Sequence, residues 1–116
     1  LSVSDREKTL LDCLERFDLC GGVAEVVRTI SALIDETDPA TLLDYLQRMD
    51  NQALAQRLGL ILERLSTVQE IDGSLIVGIA RQVGEYVYPL DPHEPEVGVL
   101  DVRWRIRENV DVLGEL

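Results

Sequence analysis

Over the first three-quarters of the chain, apolar residues recur at helical spacing. Leu10, Leu11 and Leu14, with Cys13 alongside, lead to Phe17 in a stripe of period 3.6. Ahead of it, Ser4-Asp5-Arg6-Glu7 reads as a capping box, with Ser4 at the N-cap and Glu7 at N3. Gly21-Gly22 ends this helix and turns the backbone into the next. Val23, Val26, Val27, Ile30, Leu33 and Ile34 then form the clearest apolar face, with Glu25, Arg28 and Asp35 on the wet side. Thr37-Asp38-Pro39 predicts a stop and a restart, because Asp38 is a good N-cap and Pro39 at N1 loses no needed hydrogen bond. The third helix turns Leu42, Leu43, Leu46 and Met49 inward. After the cap signal Asp50-Asn51, a fourth helix carries Leu54, Leu58, Ile61, Leu62 and Leu65. Gly59 lies in its middle at a propensity cost of about 1 kcal/mol, which a close crossing by another helix would explain. Asp72-Gly73-Ser74 opens a short fifth helix with Leu75, Ile76, Ile79, Ala80 and Val83 inside.

The last quarter changes period. Tyr86, Tyr88 and Leu90 alternate with Glu85, Val87 and Pro89. Beyond the loop Asp91-Pro92-His93-Glu94-Pro95, Leu100, Val102, Trp104 and Ile106 alternate with Asp101, Arg103, Arg105 and Arg107. The second run predicts one half-buried strand, paired with the first as a hairpin across a long loop. Pro89 then needs an edge or terminal position. The fold class is α+β: a helical body of about five helices and a small C-terminal antiparallel sheet or hairpin, in one domain spanning 1–116.

Charge narrows the function classes. Against 11 basic side chains stand 22 acidic ones, a net charge of −11, and so acidic a surface argues against gripping nucleic acid through this chain alone. At 46% hydrophobic the chain has enough apolar surface for a core, which argues against disorder. No apolar run reaches the ~20 residues of a membrane span, and there is no signal-peptide pattern. Ten of the basic residues are arginine and Lys8 is the sole lysine, a skew that both salt adaptation and a GC-rich genome produce. The chain starts at Leu1 and its only methionine is Met49, so the expectation is a C-terminal fragment of a longer protein.

No catalytic, cofactor or metal constellation stands out. Nucleophile elbow, P-loop, HExxH and GxGxxG patterns are missing. Cys13, Cys20 and His93 fall short of the four ligands of a zinc site and read as two core thiols and a loop histidine. Gly21-Gly22 lacks a nearby cation to cradle phosphate and reads as a helix turn. Arg103, Arg105 and Arg107 make a positive stripe on one strand face. It either contacts phosphate or an acidic partner, or pairs with the chain's own carboxylates. Trp104, on the opposite face, belongs to the core. Asp12 and Arg57 sit beside apolar stripes and are expected to pair across a helix–helix contact.

Four segments, in order, carry a resemblance. Ser4-Asp5-Arg6-Glu7-Lys8-Thr9-Leu10-Leu11-Asp12 resembles the opening of the C-terminal domain of AbiEi-type antitoxins. Leu19-Cys20-Gly21-Gly22 followed by Glu25-Val26-Val27 is similar to that family's Gly-Gly-then-helix segment. Arg57-Leu58-Gly59-Leu60-Ile61-Leu62-Glu63 resembles its R-L-G-to-E helix. Tyr88-Pro89-Leu90-Asp91-Pro92, Asp101-Val102-Arg103-Trp104 and Asn109 resemble its closing strand. The resemblance implies a cytoplasmic, non-enzymatic transcriptional regulator of a type IV toxin–antitoxin system active in abortive infection by phage. A winged helix-turn-helix N-terminal to this domain would read operator DNA, and a nucleotidyltransferase-like toxin would be the functional partner, with a homodimer as a further expectation. The family-motif positions are Thr9, Asp12, Gly21, Gly22, Arg57, Gly59, Glu63 and Trp104. The net charge of −11 departs from the basic surface of a DNA-contacting domain. The alternative is a helical protein-interaction or dimerisation module unrelated to defence.

Overall fold

Three helices of the body, the third to the fifth, start where the sequence offers a side-chain cap. In the computed structural model, which describes residues 2–16 and 21–115, five α-helices precede three short strands. The helices are α1 (Ser2–Glu15), α2 (Val23–Leu33), α3 (Pro39–Met49), α4 (Gln52–Leu65) and α5 (Gly73–Ala80). The strands are β1 (Tyr88–Pro89), β2 (Val99–Asp101) and β3 (Ile106–Glu108). Asp38 accepts the Thr41 N–H at 3.2 Å at the head of α3, with Pro39 at the first helical positions. Asn51 accepts from Leu54 N at 3.4 Å to cap α4, and Asp72 accepts from Ser74 N at 2.9 Å to cap α5. Gly21 and Gly22 have φ near +90°, which only glycine adopts without strain, and the chain turns there into α2.

The α1 start differs from expectation. The helix already runs from Ser2, so Ser4 lies within it, and the Ser4 side chain lies outside the described residues. Glu7 does not reach back along its own helix. Its Oε2 accepts the backbone N–H of Asp38 at 2.8 Å, so a buried carboxylate ties α1 to the head of α3. Phe17, Leu19 and Cys20 also lie outside the described residues.

The apolar stripes meet in one core. Leu10, Leu11, Leu14, Val23, Val26, Val27, Ile30, Leu42 and Leu46 are buried against Leu54, Leu58, Ile61, Leu62, Leu65, Leu75 and Ile79. Met49, expected inside, is 38% exposed at the end of α3. Helix α4 is the axis of the molecule. Ala55, Gln56, Gly59 and Leu60 are buried as well as its apolar stripe, because the helices cover one side and the C-terminal segment covers the other.

The sheet corrects the strand reading. Its order is β1-β3-β2, with β1 parallel to β3 and β2 antiparallel to β3, so it is mixed rather than antiparallel. The expected single strand from Leu100 to Arg107 is itself the hairpin, folded at Val102–Arg105. Asp101 causes the fold. Its Oδ1 accepts the N–H groups of both Arg103 and Trp104 at 3.0 Å, a side-chain-closed turn, and Arg105 completes the reversal at φ +53°. Val102 and Leu100 therefore point to solvent while Trp104 and Ile106 are fully buried. Tyr86, expected on the inner face with Tyr88 and Leu90, precedes β1 and is exposed.

Candidate interaction site

The C-terminal hairpin is held on α4 by three kinds of contact. The first is shape. The indole of Trp104 lies over Gly59, where a Cβ would stand only 2.1 Å from Cζ3. The glycine makes room for a ring from the hairpin, not for another helix as the sequence led us to expect.

The second is a buried amide. Gln56 Nε2 donates to the carbonyls of Trp104 (2.9 Å), Tyr86 (3.0 Å) and Arg105 (3.2 Å), and its Oε1 accepts the Gly84 N–H at 3.2 Å. One side chain thus bonds four backbone groups from two segments, of which the Arg105 carbonyl also accepts the Tyr88 N–H at 3.1 Å. Asn109 does the same for the proline-rich loop. Its Oδ1 accepts from Asp91 N at 2.9 Å, and its Nδ2 donates to the carbonyls of Asp91, Glu94 and Pro95.

The third is charge. Arg64 binds Glu108 with Nε and Nη2, at 3.4 and 2.9 Å, and reaches Asp101 at 3.1 Å and Glu63 at 3.2 Å. Its guanidinium is held above arginine's ordinary pKa, chiefly by the hydrogen bond to Glu108. Glu63 in turn pairs with Arg103, whose guanidinium also lies 4.9 Å from the Trp104 ring centroid. Arg57 donates from Nε to the Pro89 carbonyl at 3.0 Å. Burial pushes its pKa down, and Asp91 and Tyr88 push it back up.

These contacts decide the residues singled out by sequence. The arginine stripe does not form. Arg103 and Arg105 sit in the turn and only Arg107 sits in a strand, because the chain reverses between them. Arg103 is paired with Glu63, Arg107 donates to the Gly98 carbonyl at 3.0 Å, and Arg105 is exposed. Asp12 and Arg57 do not pair. Asp12 is exposed beside a shallow groove of about 280 Å³ shared with Lys8, Leu11, Tyr45 and Met49, while Arg57 faces β1. Thr9 is exposed on α1, and Gly21 and Gly22 form the turn before α2. Gly59 and Glu63 meet the hairpin, and Trp104 is core as expected. Sequence reasoning missed Gln56, Arg64 and Glu108, and named Asp101 and Asn109 only within the closing-strand resemblance, without their contacts. Only Asp101 carried a local signal, as an Asp two and three residues ahead of possible turn N–H donors.

Several apolar side chains of this unit are exposed among charged ones. Val102 is 80% exposed, Val99 78%, Tyr86 70% and Val97 65%, all in the last quarter of the chain. Strand β2 lies at the edge of the sheet and pairs only with β3. Among the described residues no group of three or more His, Cys, Asp or Glu side chains is placed to hold a metal ion, and no helix is long and apolar enough to cross a membrane. No protein-family model, no curated protein and no solved structure matches the chain.

Proposed function

We propose that the chain is a non-catalytic, cytoplasmic regulatory domain of an AbiEi-like antitoxin or transcriptional regulator. The observation that carries this reading is how the resemblance segments meet. Arg57, Gly59 and Glu63 of the fourth-helix motif contact Pro89, Trp104 and Arg103 of the closing-strand motif. Residues far apart in sequence share one structural purpose, which is to seat the hairpin on α4. The exposed apolar residues on the outer side of that hairpin give the domain a surface for a protein partner. In this reading operator DNA is read by an N-terminal winged helix-turn-helix of the parent protein. The −11 domain adds little DNA affinity of its own.

Two experiments test the reading. A neighbouring gene with a nucleotidyltransferase signature should arrest growth when expressed alone, and the parent regulator should restore it. Growth arrest that the regulator leaves untouched contradicts the antitoxin assignment. In a gel shift at low salt the isolated chain should leave operator DNA unshifted, and a clear shift contradicts the division of labour. The exposed hairpin equally supports an interaction or dimerisation module outside defence, the reading that survives if no such toxin gene exists.

A further inference from the structure

We propose that the Asp91–Pro92 peptide bond is a self-cleavage site, with the Asp91 carboxylate as the nucleophile and Asn109 as an oxyanion donor. An aspartate carboxylate reaches its own carbonyl carbon through a five-membered ring, and a prolyl nitrogen, more basic than a secondary amide, leaves readily once protonated. The chain has two such pairs, Asp38–Pro39 and Asp91–Pro92, and the fold treats them differently. Asp38 is exposed, its carboxylate is taken up by the Thr41 N–H and hydroxyl at the head of α3, and its carbonyl accepts the N–H of Leu42. Asp91 is buried beside an exposed Pro92. Asn109 clamps its backbone from both sides, with Oδ1 accepting the Asp91 N–H and Nδ2 donating to the Asp91 carbonyl, both at 2.9 Å. The Glu94 N–H donates to the same carbonyl oxygen at 3.3 Å. Two donors on one carbonyl, a side-chain amide and a backbone N–H, are the make-up of an oxyanion hole. The Asp91 carboxylate accepts the His93 N–H at 2.9 Å, which closes a hydrogen-bonded ring containing the Asp91–Pro92 bond and keeps the nucleophile beside it.

The step balances as a hydrolysis. A carboxylate oxygen of Asp91 bonds to the Asp91 carbonyl carbon, and the negative charge passes to the carbonyl oxygen, against Asn109 Nδ2 and the Glu94 N–H. The nitrogen of Pro92 takes a proton from solvent, the C–N bond breaks with its electron pair left on nitrogen, and a cyclic anhydride remains. Water opens the anhydride, so Asp91 ends with an α- and a β-carboxylate and Pro92 with a secondary amine. Of the two protons released, one returns to solvent and the other charges the amine. The fragment 92–116 stays seated on α4 through Trp104, Gln56 and Arg64, so the product is a nicked domain that holds together. This is a single turnover on the chain itself, so it goes beyond the regulatory reading and stands whatever the domain regulates.

The test is intact-mass spectrometry of the purified chain over days, folded and in urea, with Asp38–Pro39 as the internal control. The folded chain should give fragments 1–91 and 92–116 and none from the other pair. In urea both bonds should break at similar rates, with Asp91–Pro92 at least about tenfold slower than in the fold. Hydroxylamine added to the folded chain should leave a hydroxamate on Asp91, the mark of an anhydride. Asn109→Leu should slow cleavage about tenfold. Pro92→Ala, at an exposed position, should keep its Tm and stay intact. A folded chain that stays whole overturns the proposal, as does equal cleavage of the two pairs in the fold or a faster reaction in urea. Undiminished cleavage of Pro92→Ala overturns it in favour of a contaminating protease.

Discussion

Gly59 and Gln56 show how single side chains on α4 decide where the C-terminal segment sits. Substituting Gly59 by alanine gains about 1 kcal/mol of helix propensity. The new methyl meets the Trp104 ring at 2.1 Å, and overpacking of that kind costs about 1–3 kcal/mol. Because the ring is rigid and fully buried, the clash outweighs the propensity gain, and Gly59→Ala should lower Tm by several degrees in a thermal melt. An unchanged or raised Tm would mean the ring has room to shift. Gln56→Leu keeps the volume but strands the carbonyls of Tyr86 and Trp104 and the Gly84 N–H, while the Arg105 carbonyl keeps the Tyr88 N–H. Each buried group left without a partner costs about 1–3 kcal/mol, so the loss should be at least about 2 kcal/mol in chemical denaturation. Gly59 was visible in the sequence as an anomaly because a mid-helix glycine is expensive. What it accommodates was not, since helix crossing and ring packing ask for the same absence of a side chain. Gln56 gave no sign at all, because a glutamine on the side opposite an apolar stripe reads as solvent-facing until something covers that side.

At the level of elements, Arg64 joins helix to hairpin. Arg64→Met should leave Asp101 and Glu108 facing each other without a cation and loosen the hairpin while the helices stay folded. Amide exchange across 99–108 should quicken with the far-ultraviolet helical signal retained, and unchanged protection there would show that Trp104 and Gln56 suffice. The α5 cap makes a pH prediction. Hydrogen bonds from Ser74 hold the Asp72 carboxyl below its ordinary pKa. A depressed carboxylate stabilises the fold above its unfolded pKa, and that contribution fades as pH falls through the depressed value. Asp72 should thus cap α5 throughout the neutral range and lose the cap only in strong acid. Ser74→Ala should move its NMR titration upward, and a titration left in place would show that other groups set it.

The elements themselves divide by how local their causes are. The five helices were legible because stripes of period 3.6 and the caps Asp38, Asn51 and Asp72 are written within a few residues. The strand reading failed where alternation had two causes. Trp104 and Ile106 are buried, as the pattern required, but Leu100 belongs to the other limb, and Val102 to the turn, of a hairpin that Asp101 closes. The parallel pairing of β1 with β3 has no local signature, since it joins residues 18 apart, Tyr88 with Ile106, across the proline-rich loop. The arginine stripe vanished for the same reason, because its geometry presupposed one straight strand.

For the whole molecule, the charge of −11 acts on both stability and contacts. Like-charge repulsion within the fold is screened by salt, so Tm should rise between about 0.1 M and 1 M KCl. A flat response would show that pairs such as Arg64 with Glu108 and Arg6 with Glu36 already balance the local fields. The hairpin carries exposed valines on its outside and a dense set of contacts to α4 beneath. The most direct measurement of the proposed antitoxin reading is growth rescue, against the toxin that reading requires, by the protein carrying Val99→Glu together with Val102→Glu, paired with a thermal melt. Both valines are exposed, so Tm should be unchanged while rescue is lost. Full rescue at unchanged Tm would place the working surface elsewhere on the molecule.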